Sequence, residues 1–344
     1  MATIVIDAMG GDNAPNAVVE GAAMASLTTP HALILVGHEQ KIRRALRRFR
    51  HDSSRLKVHH AAEVIGMSDK AREGIEAKPD ASITAAMRLL AGGEADALVG
   101  AGNTGACILA AARNLKRIEG IRRAALAAIH PTHRRHGPYG DPFGLLLDVG
   151  ATLDAGADDL VRFALMGSVY ARIISRNESP RIGLLSNGEE KSKGSPAVVE
   201  ANRLLSKAPG LNFKGNVEGL DIPQGTVDVV VCNGFTGNIV IKMLEGISEI
   251  VHDLAIVARP SLLLRTGLLL MTPALRRIMR LTDWESYGGA PLLGFERVVI
   301  KAHGRSGPRA IRNAIKVAAK AVNGRLGERI SEGVATLEKG LVRG

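Results

Sequence analysis

Short apolar runs alternate with amphipathic stretches along most of the chain. The runs are rich in Val, Ile and Leu and mostly end at glycine-rich loops, which is typical of buried parallel strands. Helical spacing of apolar residues resumes after most of these loops. The pattern predicts repeated βα units and a three-layer αβα fold, with a mainly parallel sheet between helices. The predicted strands are 4–6, 33–36, 56–59, 97–99, 124–129, 145–149, 182–185, 227–231 and 298–300.

The same pattern places helices and loops. We predict an alanine-rich helix behind residue 105 and loops at 61–80 and 130–140. There is no internal repeat, low-complexity tract or obvious linker, so residues 1–344 are predicted to form a single unit. The other predicted helices are about 39–50, 82–90, 157–176 and a stretch beginning near 308.

Residues 226–246 are the stretch around which the chain is organised. A predicted strand ends at Val231, a glycine loop spans Asn233–Asn238, and apolar residues from Ile239 onward resume helical spacing. A strand, a loop and a helix in this order place free backbone N–H groups at the positive end of a helix dipole, which suits an anion such as phosphate. The alternative is an ordinary βα turn in which the glycines only supply unusual backbone angles.

Similar loops end four other predicted strands, and in parallel sheets ligands bind beyond the carboxyl ends of the strands. These loops offer hydrogen-bond donors and cations, which suit an oxyanion or a polyanion. A Walker-type nucleotide loop, a zinc motif and a nucleophile elbow are missing. Cys232 is predicted to be buried and inert. The candidate side chains are Asn103, Thr104, Asn187, Lys193, Asn233, Thr236, Asn238, Lys301 and His303.

The chain carries a formal net charge of +11, partly concentrated between Lys41 and Lys57. This basic helix is either a solvated face or a surface for an acidic partner. Few aromatic residues are available to stack on bases and no recognition motif appears, so nucleic acid is not expected as a partner. With 2 cysteines, no signal-peptide pattern and no long uncharged apolar stretch, we expect a cytoplasmic protein.

Residues 256–281 combine leucine-rich segments with interspersed arginines. Arginine at these intervals excludes a membrane-spanning helix but suits a surface that lies in the lipid interface. Packing in a dimer core or between domains is the alternative.

Five motifs, in order along the chain, resemble the acyl-ACP:phosphate acyltransferase (PlsX) family. They are DAMGGD at 7–12, AGNTGA at 101–106, SNGEE with the following Lys-Gly, GFTGN at 234–238, and YGGAPLLGF with IKAHG. The resemblance implies a fold like that of phosphotransacetylases and isocitrate dehydrogenases, a homodimer, and transfer of a long-chain acyl group from acyl carrier protein to inorganic phosphate for phospholipid synthesis. It implies no metal or cofactor. It also implies peripheral membrane contact and a membrane glycerol-3-phosphate acyltransferase downstream.

The resemblance also implies a site. Asn103, Lys193 and His303 are the expected catalytic residues. Asn233 stands where the family pattern has Asp, Thr152 where it has Asn, and an amide at 233 can still donate to an oxyanion. The expected residues for phosphate and thioester are Asp7, Gly10, Gly11, Gly102, Thr104, Gly105, Asn187, Gly188, Glu189, Asn233, Gly234, Thr236, Gly237, Asn238 and Gly304.

Two other functions compete with this one. A short-chain phosphotransacylase would use CoA thioesters instead of acyl carrier protein. A basic, non-catalytic membrane-binding protein would show salt-sensitive binding and no phosphate-dependent loss of thioester.

Overall fold

The computed structural model describes residues 1–136, 140–257, 266–267, 270–271 and 288–342. In these residues one sheet of 11 strands runs in the order β3-β2-β1-β4-β11-β10-β5-β6-β9-β7-β8. The strands are β1 (Thr3–Asp7), β2 (Ala32–Gly37), β3 (Leu56–His60), β4 (Ala97–Gly100), β5 (Ala125–His136), β6 (Asp141–Leu147), β7 (Arg181–Leu185), β8 (Asn212–Val217), β9 (Val229–Val231), β10 (Ala290–Leu293) and β11 (Val298–Lys301).

Helices cover both faces of this sheet. They are α1 (Asn16–Thr28), α2 (Glu39–Leu46), α3 (Ala71–Ala77), α4 (Ser82–Ala91), α5 (Thr104–Asn114), α6 (Ala157–Ile174), α7 (Pro196–Leu205), α8 (Asp221–Gln224), α9 (Gly234–Val257), α10 (Pro308–Asn323) and α11 (Leu326–Val342).

Alternation along the strands produces two separate cores, one on each face. Ile4 and Ile6 of β1 belong to the same buried cluster as residues of α1, α2, α6, α10 and α11, whereas Val5 belongs to the cluster on the opposite face with residues of α4 and α5. The strands are buried on both sides, as a parallel sheet between helix layers requires. The predicted three-layer αβα fold is confirmed.

The sheet consists of two parallel blocks that run in opposite directions. One block is β3-β2-β1-β4-β11 and the other is β6-β9-β7-β8. Antiparallel pairing of β10 with β11, β10 with β5 and β5 with β6 joins them. The apolar runs predicted parallel pairing but carried no information about this reversal.

The reversal brings the carboxyl ends of both blocks to one level of the sheet. Val299 pairs with Leu292, which pairs with Leu126. The next residue of β5, Ala127, pairs with Leu147, the last residue of β6. Strands β11 and β6 therefore end at the same level of the sheet, with β10 and β5 between them, after approaching from opposite directions, so the loops that follow them face a common space.

Two predicted loops were wrong. Residues 130–136 continue β5, because the strand pairs with β6 from Ala127 to His136. Residues 71–77 form α3, where Gly74 and Ile75 are buried. Residues 256–281 lie largely outside the described residues, so both interpretations of that segment stay predictions.

Close packing between β6 and the first turn of α9 leads to a stability prediction. A Cβ at Gly237 would lie 1.9 Å from the Asp148 carbonyl oxygen, whereas a Cβ at Gly246, in the same helix, would meet nothing within 4 Å. We expect Gly237→Ala to reduce the free energy of unfolding by about 1–3 kcal/mol, the usual cost of overpacking. Gly246→Ala should be neutral or stabilise by up to about 1 kcal/mol, since alanine favours helix.

Thermal and urea unfolding of both variants measure this difference. Equal stabilities of the two variants would contradict the close approach at Gly237.

Candidate active site

A cavity of about 890 Å³ lies where the facing carboxyl ends meet. Its walls are mostly apolar and come from β5 and α9, including Leu126, Ala128, Ile241 and Leu244. Loops that follow β1, β4 and β11 supply a polar end. A concave, largely apolar space with a few convergent polar groups is the usual form of a small-molecule site.

The segment after β11 forms the cationic part of this polar end. Lys301, His303 and Arg305 all line the cavity. Burial lowers the pKa of Lys301 to about 8, and its Nζ donates a hydrogen bond to the Ala302 carbonyl. The side chain is only 6% exposed.

His303 is half-buried beside α9. Its Nδ1 accepts a hydrogen bond from the Arg305 backbone N–H at 3.2 Å, which places the proton of the neutral ring on Nε2. Nε2 lies 3.8 Å from Oε1 of Glu245. Burial lowers the pKa of His303, and the Glu245 carboxylate opposes that shift.

Helix α9 contributes a polar wall through its first turns. Asn238 lines the cavity and donates a hydrogen bond from Nδ2 to the Val149 carbonyl at 3.2 Å. Lys242 and Glu245 also line it and form an ion pair at 2.7 Å.

The beginning of α9 is held by capping. Asn233 Oδ1 accepts a hydrogen bond from the Thr236 backbone N–H at 2.8 Å, which an Asp at this position would accept equally. Gly234 N–H donates to the Thr152 carbonyl at 2.9 Å. Thus Asn233, Gly234, Thr236 and Gly237 set the position of the helix and do not line the cavity.

Asp148, at the end of β6, is a residue that the sequence analysis missed. Its buried carboxylate accepts hydrogen bonds from the backbone N–H groups of Leu126 at 2.8 Å, Gly150 at 3.1 Å, Ala151 at 3.0 Å and Thr152 at 2.6 Å. Burial raises the pKa of Asp148, and these donors oppose that rise. The signal in the sequence was an Asp inside the predicted strand 145–149, two residues before Gly150.

Glycines allow the backbone of the loop after β1 to pack directly on the backbone of the loop after β4. A Cβ at Gly10 would lie 2.5 Å from Oδ2 of Asp7 and 2.7 Å from the Gly102 Cα. Gly11 has a φ of +109°. Asp7 is buried and accepts a hydrogen bond from the Met9 N–H at 3.2 Å. These four residues lie behind the cavity wall and support it.

Asn103 is the N-cap of α5. Its Oδ1 accepts a hydrogen bond from the Ala106 N–H at 3.0 Å, and its Nδ2 donates to the carbonyls of Met67 at 3.2 Å and Asp69 at 2.9 Å. The next residue, Thr104, lines the cavity. Gly105 packs against α3, where a Cβ would lie 2.9 Å from that of Ala71.

The loop between β7 and α7 lies apart from the cavity. Asn187, Glu189 and Lys193 are exposed, and Gly188 is buried with the Lys193 side chain over it. Because β7 pairs with β9 in parallel, this loop leaves the sheet at the same edge as α9. Of the predicted residues, the structure brings Thr104, Asn238, Lys301, His303 and Gly304 to the cavity.

Both cysteines of the chain are buried. Burial raises the pKa of Cys107 to about 11 and raises that of Cys232 as well. Cys232 Sγ donates a hydrogen bond to the Asp148 carbonyl at 3.3 Å. A protonated, enclosed thiol is a poor nucleophile, in keeping with a packing role.

Comparison with solved structures supports the fold. A phosphotransacetylase from Streptococcus pyogenes superposes with a TM-score of 0.64 at 17% identity over 94% of each chain. A branched-chain phosphotransacylase from Enterococcus faecalis gives a TM-score of 0.54 at 17% identity, over 94% of this chain and 99% of that one.

Comparison of sequences is more specific. A phosphate acyltransferase from Citrifermentans bemidjiense is 44% identical over 96% of this chain and 93% of its own length. One from Geobacter sulfurreducens is 43% identical over 97% of this chain and 94% of its own length. The family model described as fatty acid synthesis protein matches residues 2–329. The chain therefore belongs to that family, the phosphate acyltransferases of the PlsX type, and is an acyltransferase.

Proposed function

We propose that the protein transfers a long-chain fatty acyl group from acyl carrier protein to inorganic phosphate. The observation that carries this proposal is the cavity between the two blocks of the sheet. Its apolar walls suit an acyl chain, and its cationic end suits phosphate and the oxyanion of the transition state. The relatives are phosphate acyltransferases, which supports phosphate as the acceptor.

The reaction breaks one bond and forms one. A phosphate oxygen attacks the thioester carbonyl carbon, the carbon–sulfur bond breaks, and acyl phosphate and the carrier thiol are released. The proton of hydrogen phosphate ends on the thiol sulfur. A thioester and phosphate react without metal activation, so the work of the site is to hold both reactants and to stabilise the oxyanion.

Five side chains have roles in this proposal. Thr104, in the first turn of α5, and Asn238, which keeps one amide hydrogen beyond its bond to Val149, hold phosphate or the oxyanion. His303 and Lys193 supply a proton or a positive charge to the leaving sulfur. Asn103 acts through position, since its amide binds the 66–69 loop and caps the helix that carries Thr104.

An exposed apolar stripe on α9 supports a homodimer within this proposal. Its members are Phe235, Ile239, Met243, Ile247 and Ile250, which recur at helical spacing and are each at least 46% exposed. An isolated chain would leave this stripe in water.

The proposal places the protein in the cytoplasm with reversible attachment to a membrane. Its acyl phosphate would pass to a membrane glycerol-3-phosphate acyltransferase in phosphatidic acid synthesis. No helix among the described residues has the length and apolar character needed to cross a bilayer.

The direct test is product formation. Incubation of the protein with palmitoyl-ACP and phosphate should yield acyl phosphate, trapped as a hydroxamate by hydroxylamine. Turnover of acetyl-CoA with none of palmitoyl-ACP would favour a short-chain phosphotransacylase instead. Salt-sensitive membrane binding without any loss of thioester would favour a non-catalytic protein.

A matched pair of lysines tests the β7–α7 loop. We expect Lys193→Met to lower turnover by about 10²- to 10³-fold, the usual cost of losing one group that stabilises charge in the transition state. Lys191→Met removes an equally exposed lysine from the same loop and should leave turnover unchanged. Steady-state rates of both variants decide the matter. Wild-type turnover in Lys193→Met would show that this loop is not part of the active site.

A third prediction concerns the carrier protein, which is strongly acidic. Helix α2 buries Ile42, Ala45 and Leu46. Its exposed face carries Arg43 and Arg44, and Arg47, the next residue after the helix, is exposed as well. Reversal of the three arginines to Glu should raise KM for acyl-ACP and weaken its salt dependence, because exposed charges steer the encounter.

KM for phosphate should stay the same, since that anion binds inside the cavity. The control reverses Lys207 and Lys214, which are exposed near β8 at the opposite edge of the sheet. Unchanged acyl-ACP kinetics in the triple variant would show that α2 is only a solvated surface and does not bind the carrier protein.

A further inference from the structure

Lys301 is a buried residue of the cationic end of the cavity, and the side-chain roles above assign it no contact with a reactant. It is the last residue of β11, lines the cavity and is 6% exposed. Its Nζ donates to the Ala302 carbonyl, and within the described part of the chain this is its one hydrogen bond. It forms no salt bridge with any described carboxylate at a distance of 4.0 Å or less.

An ammonium group in this position is unfavourable in the free protein. It carries three donors, of which two have no described acceptor. Burial of a charge without a counter-ion is costly, so buried charges are normally paired. By contrast, the neighbouring Lys242 is exposed and already paired with Glu245 at 2.7 Å.

The charged and titratable groups that face Lys301 come from four other places in the fold. Asp7 ends β1, Asp12 follows it in the β1–α1 loop, Cys107 lies on α5, Lys242 lies on α9, and His303 follows β11 itself. The Asp7 carboxyl group is already engaged by the Met9 N–H and the Ser82 hydroxyl. Asp12 is exposed to solvent. Neither carboxylate neutralises the ammonium by direct contact.

We infer that Lys301 is the cation that binds inorganic phosphate in the cavity. The inference rests on the proposed function, in which the thioester is neutral and phosphate is the anion at the reacting centre. Phosphate supplies the missing counter-ion and accepts the two unused N–H donors. The acyl chain then extends from this end along the apolar walls. Lys301 keeps its proton throughout the transfer and stabilises the negative charge that moves from phosphate to the carbonyl oxygen.

This role gives phosphate binding a defined pH dependence. Burial lowers the pKa of Lys301 to about 8 in the free protein, so the ammonium is present below that pH and is lost above it. Binding of a phosphate dianion needs the ammonium form. The affinity for phosphate should therefore fall about tenfold for each pH unit above 8. His303, whose pKa is lowered by burial, and Cys107, whose pKa is raised to about 11, stay neutral around pH 8.

Calorimetric titration of the whole protein with inorganic phosphate, without an acyl donor, tests the inference. We expect Lys301→Met, which keeps the shape and removes the charge, to weaken phosphate binding roughly 10- to 100-fold. Lys214→Met, an exposed lysine on β8, is the control and should bind phosphate as the wild type does. In turnover assays Lys301→Met should raise KM for phosphate and leave KM for acyl-ACP unchanged.

Wild-type binding measured from about pH 7.5 to about pH 9.5 needs no variant and should weaken through about pH 8. Phosphate affinity that is unchanged in a folded Lys301→Met protein, or wild-type affinity that does not fall across this pH range, would overturn the inference. Phosphate binding that depends on Lys301 in a protein that does not turn over acyl-ACP would instead support the inference and contradict the proposed donor.

Discussion

The carboxylate of Asp148 is the contact on which the rest of the site depends. Four backbone N–H groups from two different segments converge on it inside the core. One donor belongs to β5 and three belong to the turn after β6. The carboxylate therefore joins a cavity wall to the turn that contacts the start of α9. A carboxylate without these donors would be costly to bury, and the donors without the carboxylate would be unsatisfied. Each half of the arrangement requires the other.

Helix α9 is then placed by contact with the same residue. Gly237 packs on the Asp148 carbonyl, and Cys232 both donates to that carbonyl and accepts from the Asp148 N–H. Because α9 forms one wall of the cavity, the position of Asn238 follows from a buried residue that does not line the cavity. The opposite wall is set in the same manner by Gly10 and Gly102, whose backbones touch. Both walls of the cavity are therefore positioned by close packing of backbone in the core.

The sequence predicted most of the sheet, because apolar runs such as those of β1, β4 and β9 are buried on both faces and show no ambiguity. It failed where polar composition concealed regular structure, as in residues 130–136, whose histidines and proline suggest a loop. It could not reveal the reversal between the two blocks, since strand direction depends on long-range pairing.

The site was predicted in part. Glycines and asparagines at strand ends identified the correct edges, but many of them pack or cap and do not reach the cavity. Asn103 and Asn233 illustrate this, since both are helix caps. Lys301 was among the candidate cations and Asp148 was missed, and the burial of neither could be predicted, because burial is a property of the fold and not of the residue type. Their significance appears only when their surroundings are known.

The antiparallel seam between the blocks also has a mechanical consequence. Among the residues that the structure describes, β10 and β5 are joined at only two residue pairs, Leu292 with Leu126 and Leu293 with Ala125. Every other neighbouring pair of strands in the sheet has a longer register. A tilt of one block against the other therefore breaks the fewest main-chain hydrogen bonds if it occurs between β10 and β5. Leu126 belongs both to this seam and to the cavity lining, so a tilt at the seam would change the width of the cavity.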